Sequence, residues 1–266
     1  MKETWQSGNA YDRFMGRWST RVALKFLSWL DAAPSSRWLD VGCGTGTLTK
    51  LILENNQPTE VIALDSSAEF IEHARQTITD PRVSFRVGLA QALDLESASI
   101  DVAVSGLVLN FVPEPKAAIA EMLRVTRPGG KIGVFVWDYA SGMQMLRYFW
   151  DAVIELDPST IELDEGPRFP ICQEGQLEAY MLEMRLAQIE SAVIEVETVF
   201  QDFDDYWHPF LGGVGPASNY VLNIDVAHRQ RLKEKLQELL PYGPDGKIPL
   251  WAKAWAVKGI VDNQTA

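Results

Sequence analysis

Short apolar runs alternate with amphipathic stretches through the first half of the chain. Five of these runs have the length and composition of buried strands: residues 37–41, 59–65, 82–88, 99–106 and 131–139. Between and before them, apolar side chains recur at helical spacing, which predicts helices at residues 18–30, 47–56, 67–78 and 115–126. This alternation favours an open parallel sheet that is covered by helices on both faces.

The pattern changes in the second half of the chain. Residues 142–156 and 174–186 are predicted to be amphipathic helices, whereas residues 191–200 and 247–259 alternate with period two, as strands of an antiparallel pair do. A long insertion separates these two strands. It begins with the aromatic run "QDFDDYWHPFLGGVGPASNY" and ends in a helix.

The first predicted strand runs into a glycine-rich turn, "WLDVGCGTGTL". Bare backbone at Gly42, Gly44 and Gly46 lets ligand atoms approach closely, and the helix that follows offers free N–H groups to an anionic group. These features suit any nucleotide-type cofactor. The spacing here is G-x-G-x-G. The dinucleotide fingerprint G-x-G-x-x-G would have its third glycine at position 47, which is Thr47, so a dinucleotide is disfavoured.

Two carboxylates accompany the turn. Asp40 would repel a pyrophosphate but suits a ligand with positive charge, and S-adenosylmethionine (SAM) carries a sulfonium and an α-ammonium. Asp65 ends the second predicted strand, where a carboxylate can accept both ribose hydroxyls. Asp65 alone fits a helix N-cap equally well, but the two carboxylates and the three glycines together indicate SAM.

Charge and cysteine usage limit the partners. The formal net charge is −12, which disfavours nucleic acid and anionic membrane surfaces as partners. The two cysteines form no paired or zinc-binding pattern, so neither a disulfide framework nor a metal site is expected. The N-terminus has no apolar signal core, and we expect a soluble, cytoplasmic protein without a membrane span.

Four successive stretches resemble the motifs of class I SAM-dependent methyltransferases: "LDVGCGTG", "VIALDSS", "RVGLAQALDLESASIDVAVSGLVLNFV" and "RVTRPGGKIGVFVWD". The resemblance covers roughly residues 9–140 and is closest to the small-molecule, type 11 branch that includes quinone-biosynthesis enzymes. It implies a Rossmann-like α/β fold with a seven-stranded, mostly parallel sheet, an antiparallel last strand pair and a helical and loop insertion. It also implies methyl transfer from SAM to a small organic acceptor.

The resemblance implies one methyltransferase domain over residues 1–266. Residues 1–140 would be the SAM-binding half, and residues 141–266 the acceptor-binding half, with a lid insertion at about residues 201–246. The oligomeric state is not indicated by any sequence feature.

Cofactor positions carry over from the family motifs. Around the methionine part of SAM, the resemblance implies Asp40, Gly42, Gly44 and Gly46. For the ribose and adenine it implies Asp65, Ser66, Ala90 and Gln91, and for the methionyl and sulfonium side Ser105 and Asn110. The stretch "YDRFMGRWS" resembles a segment that closes over SAM, which adds Tyr11, Arg17 and Trp18, with Arg17 pairing the cofactor carboxylate.

Two departures from the family pattern remove polar groups. Leu89 stands where relatives often have an aspartate that accepts from the adenine amine, so Gln91, a backbone carbonyl or packing must hold adenine instead. Asn110 and Phe111 stand where relatives often carry two histidines, which removes a candidate base from the edge of the active site.

The acceptor side has one candidate general base. His208 lies in the aromatic insertion, where a methyltransferase would build a lid, whereas His73 and His228 fit solvated helix positions. The residues that could line an acceptor pocket are Trp137, Asp138, Tyr139, Tyr206, Trp207 and Phe210. The alternative for each aromatic residue is a structural packing role, and for His208 it is a structural or a purely substrate-packing role.

Two other functions stay open from the sequence. One is a SAM-binding protein that does not methylate, such as a cyclase, a sensor or a partner subunit. The other is an NAD-dependent oxidoreductase, which the glycine spacing disfavours.

Overall fold

The computed structural model describes residues 16–213 and 215–262, so Tyr11 lies outside the described residues. These residues divide into two compact units. The larger unit comprises residues 19–136, 174–194 and 254–262, and the smaller unit comprises residues 16–18, 137–173 and 195–253, apart from residue 214. The units interleave along the chain, and the predicted division at residue 140 stays a prediction. The single-domain organisation stays a prediction.

The first half of the chain alternates between helices and strands. In chain order these are α1 (Arg17–Leu30), β1 (Arg37–Val41), α2 (Thr47–Asn55), β2 (Glu60–Asp65), α3 (Ala68–Thr77), β3 (Val83–Val87), β4 (Ile100–Gly106), α4 (Pro115–Val125) and β5 (Thr126–Trp137). The predicted α/β alternation is therefore confirmed element by element.

The second half is mainly helical between its two long strands. Its elements are α5 (Gln144–Leu156), α6 (Glu165–Arg168), α7 (Gln176–Glu183), β6 (Ala187–Phe200), α8 (Phe203–Trp207), α9 (Gly215–Asn223), α10 (Val226–Leu239) and β7 (Ile248–Ile260). The aromatic run forms α8 and then a short 3-10 helix at His208–Leu211, and Asp202 caps α8 by accepting from the Asp205 N–H at 2.8 Å.

One seven-stranded sheet has the order β3-β2-β1-β4-β5-β7-β6. The pairings among the first five strands in this order are parallel, and the last pair is antiparallel, which confirms the predicted fold class. β1 lies between β2 and β4, with Leu39 in register with Ile62 and Ala103. All three side chains are fully buried. The carboxyl ends of β1, β2 and β4 consequently meet at one edge of the sheet.

Close packing fixes α1 on this sheet. Phe26 and Leu30 are fully buried on the apolar face of α1. A Cβ at Gly133 of β5 would lie 2.7 Å from Leu30 and 2.9 Å from Phe26, so any larger residue there would displace these side chains. The helix predicted at residues 18–30 is thus held by tertiary contacts.

Strand β5 begins earlier than predicted. The sequence indicates a start at Lys131, but Thr126 already pairs with Ile100, and the register then shifts so that Lys131 pairs with Val102. The stretch Arg-Pro-Gly-Gly forms this irregularity. A Cβ at Gly130 would lie 2.8 Å from the Asp101 carbonyl, so the bulge needs a glycine at this position.

The described residues also bear on membrane spans and metal sites. No helix in residues 16–213 or 215–262 is long and apolar enough to cross a membrane. The same residues hold no cluster of three or more His, Cys, Asp or Glu side chains that could bind a metal ion.

Candidate functional site

The glycine turn after β1 is fixed to the end of β2 by its main chain. The N–H groups of Gly42 and Cys43 both donate to the Leu64 carbonyl, at 2.7 and 2.9 Å. The N–H of Gly44 donates to Oδ2 of Asp65 at 2.9 Å. The turn is therefore held at the carboxyl edge of the sheet, where open α/β sheets bind their ligands.

The three glycines of the turn have different physical roles, although all have positive φ angles. A Cβ at Gly42 would lie 2.4 Å from a methyl group of Val108, and one at Gly46 would lie 2.6 Å from Ile78. At Gly44 the same atom would have nothing within 4 Å. Gly42 and Gly46 are thus needed for packing within the protein, and only Gly44 borders open space that a ligand can fill.

Asp65 is held in one orientation by two main-chain donors. Its Oδ1 accepts from the Ser67 N–H at 2.8 Å, and its Oδ2 accepts from Gly44. A carboxylate oxygen has two acceptor positions, so both oxygens can still accept from a ligand. This arrangement fits the predicted contact with two ribose hydroxyls, and Ser66 beside it is exposed.

Asp40 is fully buried in β1. Its Oδ2 accepts from the Thr49 hydroxyl at 2.6 Å, whereas its Oδ1 has no hydrogen-bond partner among the described residues. Burial raises the pKa of Asp40 to about 7, the Thr49 hydroxyl opposes this increase, and the nearby Asp65 adds to it. Sequence reasoning missed Thr49, although its position in the first turn after the glycines was a usable signal.

The remaining cofactor candidates of the larger unit lie at the end of β4 and in the segments that follow β3 and β4. Ser105 is fully buried and donates to the Val41 carbonyl at 2.9 Å, so its hydroxyl already holds the end of β1. Asn110 presents a buried side-chain amide whose nitrogen and oxygen have no partner in the described part of the chain. Ala90 is buried and Gln91 is half-buried.

Arg17 and Trp18 belong to the smaller unit. The Arg17 guanidinium lies 3.1 Å from Oδ1 of Asp205, and it stacks 4.8 Å from the Phe200 ring. Trp18 is buried and makes an edge-to-face contact with Phe200 at 5.6 Å. In this structure the partner of Arg17 is therefore a protein carboxylate, and its pairing with a cofactor carboxylate stays a prediction.

The aromatic residues predicted to line an acceptor pocket are buried in the smaller unit. Tyr206 donates to the Met145 carbonyl at 2.8 Å, and Phe210 stacks on Phe149 at 4.5 Å. Trp207 packs parallel to Phe203 at 6.2 Å. Trp137 and Tyr139, the other two predicted aromatic residues, are also buried. These contacts give the rings a packing role, and acceptor binding by them stays a prediction.

Asp138 and His208 differ in their surroundings. Asp138 accepts from the Ser141 N–H at 2.9 Å and pairs with Lys253 at 2.9 Å. Burial alone would raise the pKa of Asp138, but these donors outweigh it and keep that pKa below its usual value. His208 is exposed, with Nδ1 2.9 Å from the Asp204 carbonyl. Donation from Nδ1 would leave Nε2 as the acceptor nitrogen of the neutral ring.

The sequence of this chain resembles those of known methyltransferases. Residues 39–134 match the family profile described as a methyltransferase domain. A demethylmenaquinone methyltransferase of Renibacterium salmoninarum is 40% identical over 103 residues, which are 39% of this chain and 42% of that protein. A malonyl-[acyl-carrier protein] O-methyltransferase of Serratia marcescens is 31% identical over 151 residues, covering 54% of this chain and 57% of that protein.

A solved structure resembles nearly the whole chain. Phosphoethanolamine N-methyltransferase 2 of Haemonchus contortus, in complex with phosphomonomethylethanolamine and S-adenosylhomocysteine, has a TM-score of 0.61 at 16% identity. The match covers 96% of this chain and 57% of that chain, and it shows the fold alone. The chain spans between 33% and 57% of the length of the first curated relatives that it matches. Residues 39–134 are therefore similar to the methyltransferase domain family, and the seven-stranded sheet has the class I methyltransferase fold.

Proposed function

We propose that the protein binds SAM at the glycine turn and transfers its methyl group to a small organic acceptor. The observation that carries this proposal is the fixed carboxylate of Asp65 beside the open space at Gly44. Both features suit a nucleoside. Its ribose hydroxyls can donate to the carboxylate, and its other atoms can approach the main chain closely where no Cβ is present.

The polar groups around the turn fit SAM. Asp65 would hold the ribose, and Gly44 would border the methionine part. The unpartnered oxygen of Asp40 suits a cationic ligand, and the unpartnered amide of Asn110 offers both a donor and an acceptor. Ala90 and Gln91 would border the adenine. When bound, SAM supplies an already activated methyl group on its sulfonium.

The residues of this chain would then contribute by positioning and by excluding water. Holding two reactants in line can contribute about 7–11 kcal/mol to lowering the barrier. For a phenol, enol or amine acceptor, a base adds about 10²–10⁴-fold. His208 is our candidate for that base, since a bond from Nδ1 to the Asp204 carbonyl would orient the ring.

The acceptor would be bound by the smaller unit. Its aromatic residues, including Tyr206, Trp207 and Phe210, form a buried cluster that would support an acceptor site for a small, mostly apolar molecule. The net charge of −12 supports a neutral or cationic acceptor more than a polyanion, and nucleic acid is not expected to bind. A cytoplasmic location is part of the same proposal.

Turnover of SAM tests this proposal. The protein is incubated with SAM and a panel of phenols, amines and carboxylic acids, and S-adenosylhomocysteine is quantified against reactions without acceptor. We expect acceptor-dependent release with at least one class. Tight SAM binding without release for any acceptor would favour a non-catalytic SAM-binding protein, and NADH binding in place of SAM would favour an oxidoreductase.

A further inference from the structure

Asp40 is enclosed by the strands on both sides of β1. Its register partners are Ala63 on β2 and Val104 on β4, and both are fully buried. The side chain itself has no exposed surface. One carboxylate oxygen receives a hydrogen bond from Thr49 on α2, and the other receives none from the described residues.

Within residues 16–213 and 215–262, no positively charged group acts on Asp40. Asp65 at the end of β2 is the charged group that acts on it, and this interaction is repulsive. Cys43 in the glycine turn is buried, and burial with the two carboxylates raises the pKa of its thiol well above the usual value, so this thiol stays neutral near pH 7. On β4, Ser105 donates to the Val41 carbonyl and not to Asp40.

A carboxylate in such a place is costly in its charged form. Burial without a counter-ion disfavours the anion, and an oxygen without a donor removes the usual compensation. The protonated carboxyl avoids the larger of these costs, which is that of the buried charge. A cation brought to the turn reverses this balance, because it favours the ionised form.

We propose that Asp40 carries a proton in the cofactor-free protein and releases it to the solvent when the cationic methionine part of the cofactor binds. This inference rests on the proposed function. In this step the Asp40 O–H bond breaks, the electron pair stays on the carboxylate, and the proton goes to the buffer. Asp40 thereby acts as a specificity-determining residue that favours ligands carrying a positive charge beside the turn.

The release makes cofactor affinity depend on pH. Because the pKa of Asp40 is raised to about 7, binding would release about 0.9 proton at pH 6 if the bound carboxyl ionises at its ordinary value. Affinity would then be roughly 15-fold weaker at pH 5.5 than at pH 7. Within this window the α-ammonium of the ligand stays mostly protonated.

Calorimetric titration measures the proton directly. Binding of SAM, S-adenosylhomocysteine and 5′-methylthioadenosine is measured at pH 6 in buffers of different ionisation enthalpy. The slope of the observed binding enthalpy against the ionisation enthalpy of the buffer gives the number of protons exchanged. We expect release of nearly one proton with SAM and with S-adenosylhomocysteine, which both carry the α-ammonium. We expect none with 5′-methylthioadenosine, which lacks the charged methionine part.

Three variants separate the role of Asp40 from general effects. Asp40→Asn mimics the protonated carboxyl and should abolish proton release and flatten the affinity between pH 5.5 and 7. Thr49→Val removes the hydroxyl that favours the anion, so it should weaken SAM binding and raise the proton release at pH 7 from about half a proton towards one. Glu165→Gln alters another buried carboxyl, in the smaller unit, and should leave the proton release unchanged.

The outcomes also separate this inference from the proposed function. SAM binding without proton exchange, or with the same exchange in Asp40→Asn, would overturn the role of Asp40 and leave the methyltransferase proposal intact. Equal proton release with 5′-methylthioadenosine would also overturn it. Failure of SAM to bind at any pH would contradict the proposed function itself, and with it the role of Asp40.

Discussion

The main-chain N–H of Gly44 donates a 2.9 Å hydrogen bond to Oδ2 of Asp65, which joins the turn after β1 to the end of β2. The Ser67 N–H holds the other oxygen of the same carboxylate at 2.8 Å. The group proposed to bind the ribose is therefore oriented before any ligand arrives. Such preorganisation reduces the ordering that a ligand must impose when it binds.

Replacing Asp65 with alanine should weaken SAM binding by about 1.5–3 kcal/mol, since charge-assisted hydrogen bonds are lost. Titration calorimetry provides the affinity. Asp94→Ala, at an exposed aspartate of the same unit, is the matched control and should bind like the wild type. Unchanged affinity in Asp65→Ala would remove the ribose assignment.

Alanine at Gly46 should mainly reduce folding stability, whereas alanine at Gly44 should mainly reduce SAM binding. Gly46→Ala should lower the free energy of unfolding by about 1–3 kcal/mol, because its Cβ would overlap Ile78. Gly44→Ala meets no atom within 4 Å, so it should cost only about 1–2 kcal/mol of backbone strain but should block the cofactor. Thermal unfolding and SAM titration measure the two effects.

The double variant Gly46→Ala/Ile78→Val serves as the control for this pair. It removes the Ile78 methyl group nearest to the new Cβ and should recover part of the lost stability. If Gly44→Ala binds SAM normally while Gly46→Ala is fully stable, the division of roles among the glycines is wrong.

Helix α4 holds the loop after β3 through an ion pair. Glu121 accepts from the Leu93 N–H at 2.7 Å, and Arg124 donates to the carbonyls of Leu93 and Leu95, each at 2.9 Å. Arg124→Gln should lower the free energy of unfolding by about 1–2 kcal/mol, a figure reduced for the partial exposure of the pair. It should also weaken SAM binding, because Ala90 and Gln91 lie in that loop.

The control for Arg124→Gln lies on the same helix. Lys116 forms an exposed pair with Glu183, so Lys116→Gln should change neither urea denaturation nor SAM affinity measurably. Equal losses in both variants would show that helix charge in general, and not the loop contact, is responsible.

Glu165 should make folding stability depend on pH. Burial raises its pKa from 4.5 to about 7, while Trp150 donates to its side chain. The folded state then binds the proton more tightly, so this stability is fully present below about pH 4.5 and is lost as the pH rises through 7. The contribution is roughly 2–4 kcal/mol.

Urea denaturation of wild type and Glu165→Gln at pH 5, 6.5 and 8 checks this expectation. The variant should lose less stability than the wild type between pH 5 and 8, because glutamine stays neutral. The contribution of Asp40 is common to both proteins and cancels in the difference. Parallel curves for the two proteins would contradict the assignment.

His208→Ala should lower kcat for an acceptor that needs deprotonation by about 10²–10⁴-fold. SAM affinity should not change. His73→Ala, on helix α3, should behave like the wild type. A His208→Ala enzyme with unaltered kcat would leave His208 with a structural role only.

Local sequence predicted most elements of the sheet because their signals are local. The apolar run at residues 37–41 and the glycines after it place β1 and its turn without any knowledge of distant residues. The end of β2 at Asp65 follows in the same way. By contrast, the early start of β5 depends on pairing with Ile100, which local patterning across Arg-Pro-Gly-Gly does not reveal.

The candidate site shows the same division. The sequence by itself determined that a glycine turn and two carboxylates lie at the ends of two strands, since residue type and spacing suffice for that. Only the tertiary structure decided that Val108 and Ile78 require two of the glycines, that Thr49 holds Asp40, and that the aromatic residues of the insertion are buried. These features depend on contacts between residues far apart in the chain or on the surroundings of a side chain, which the fold alone brings together.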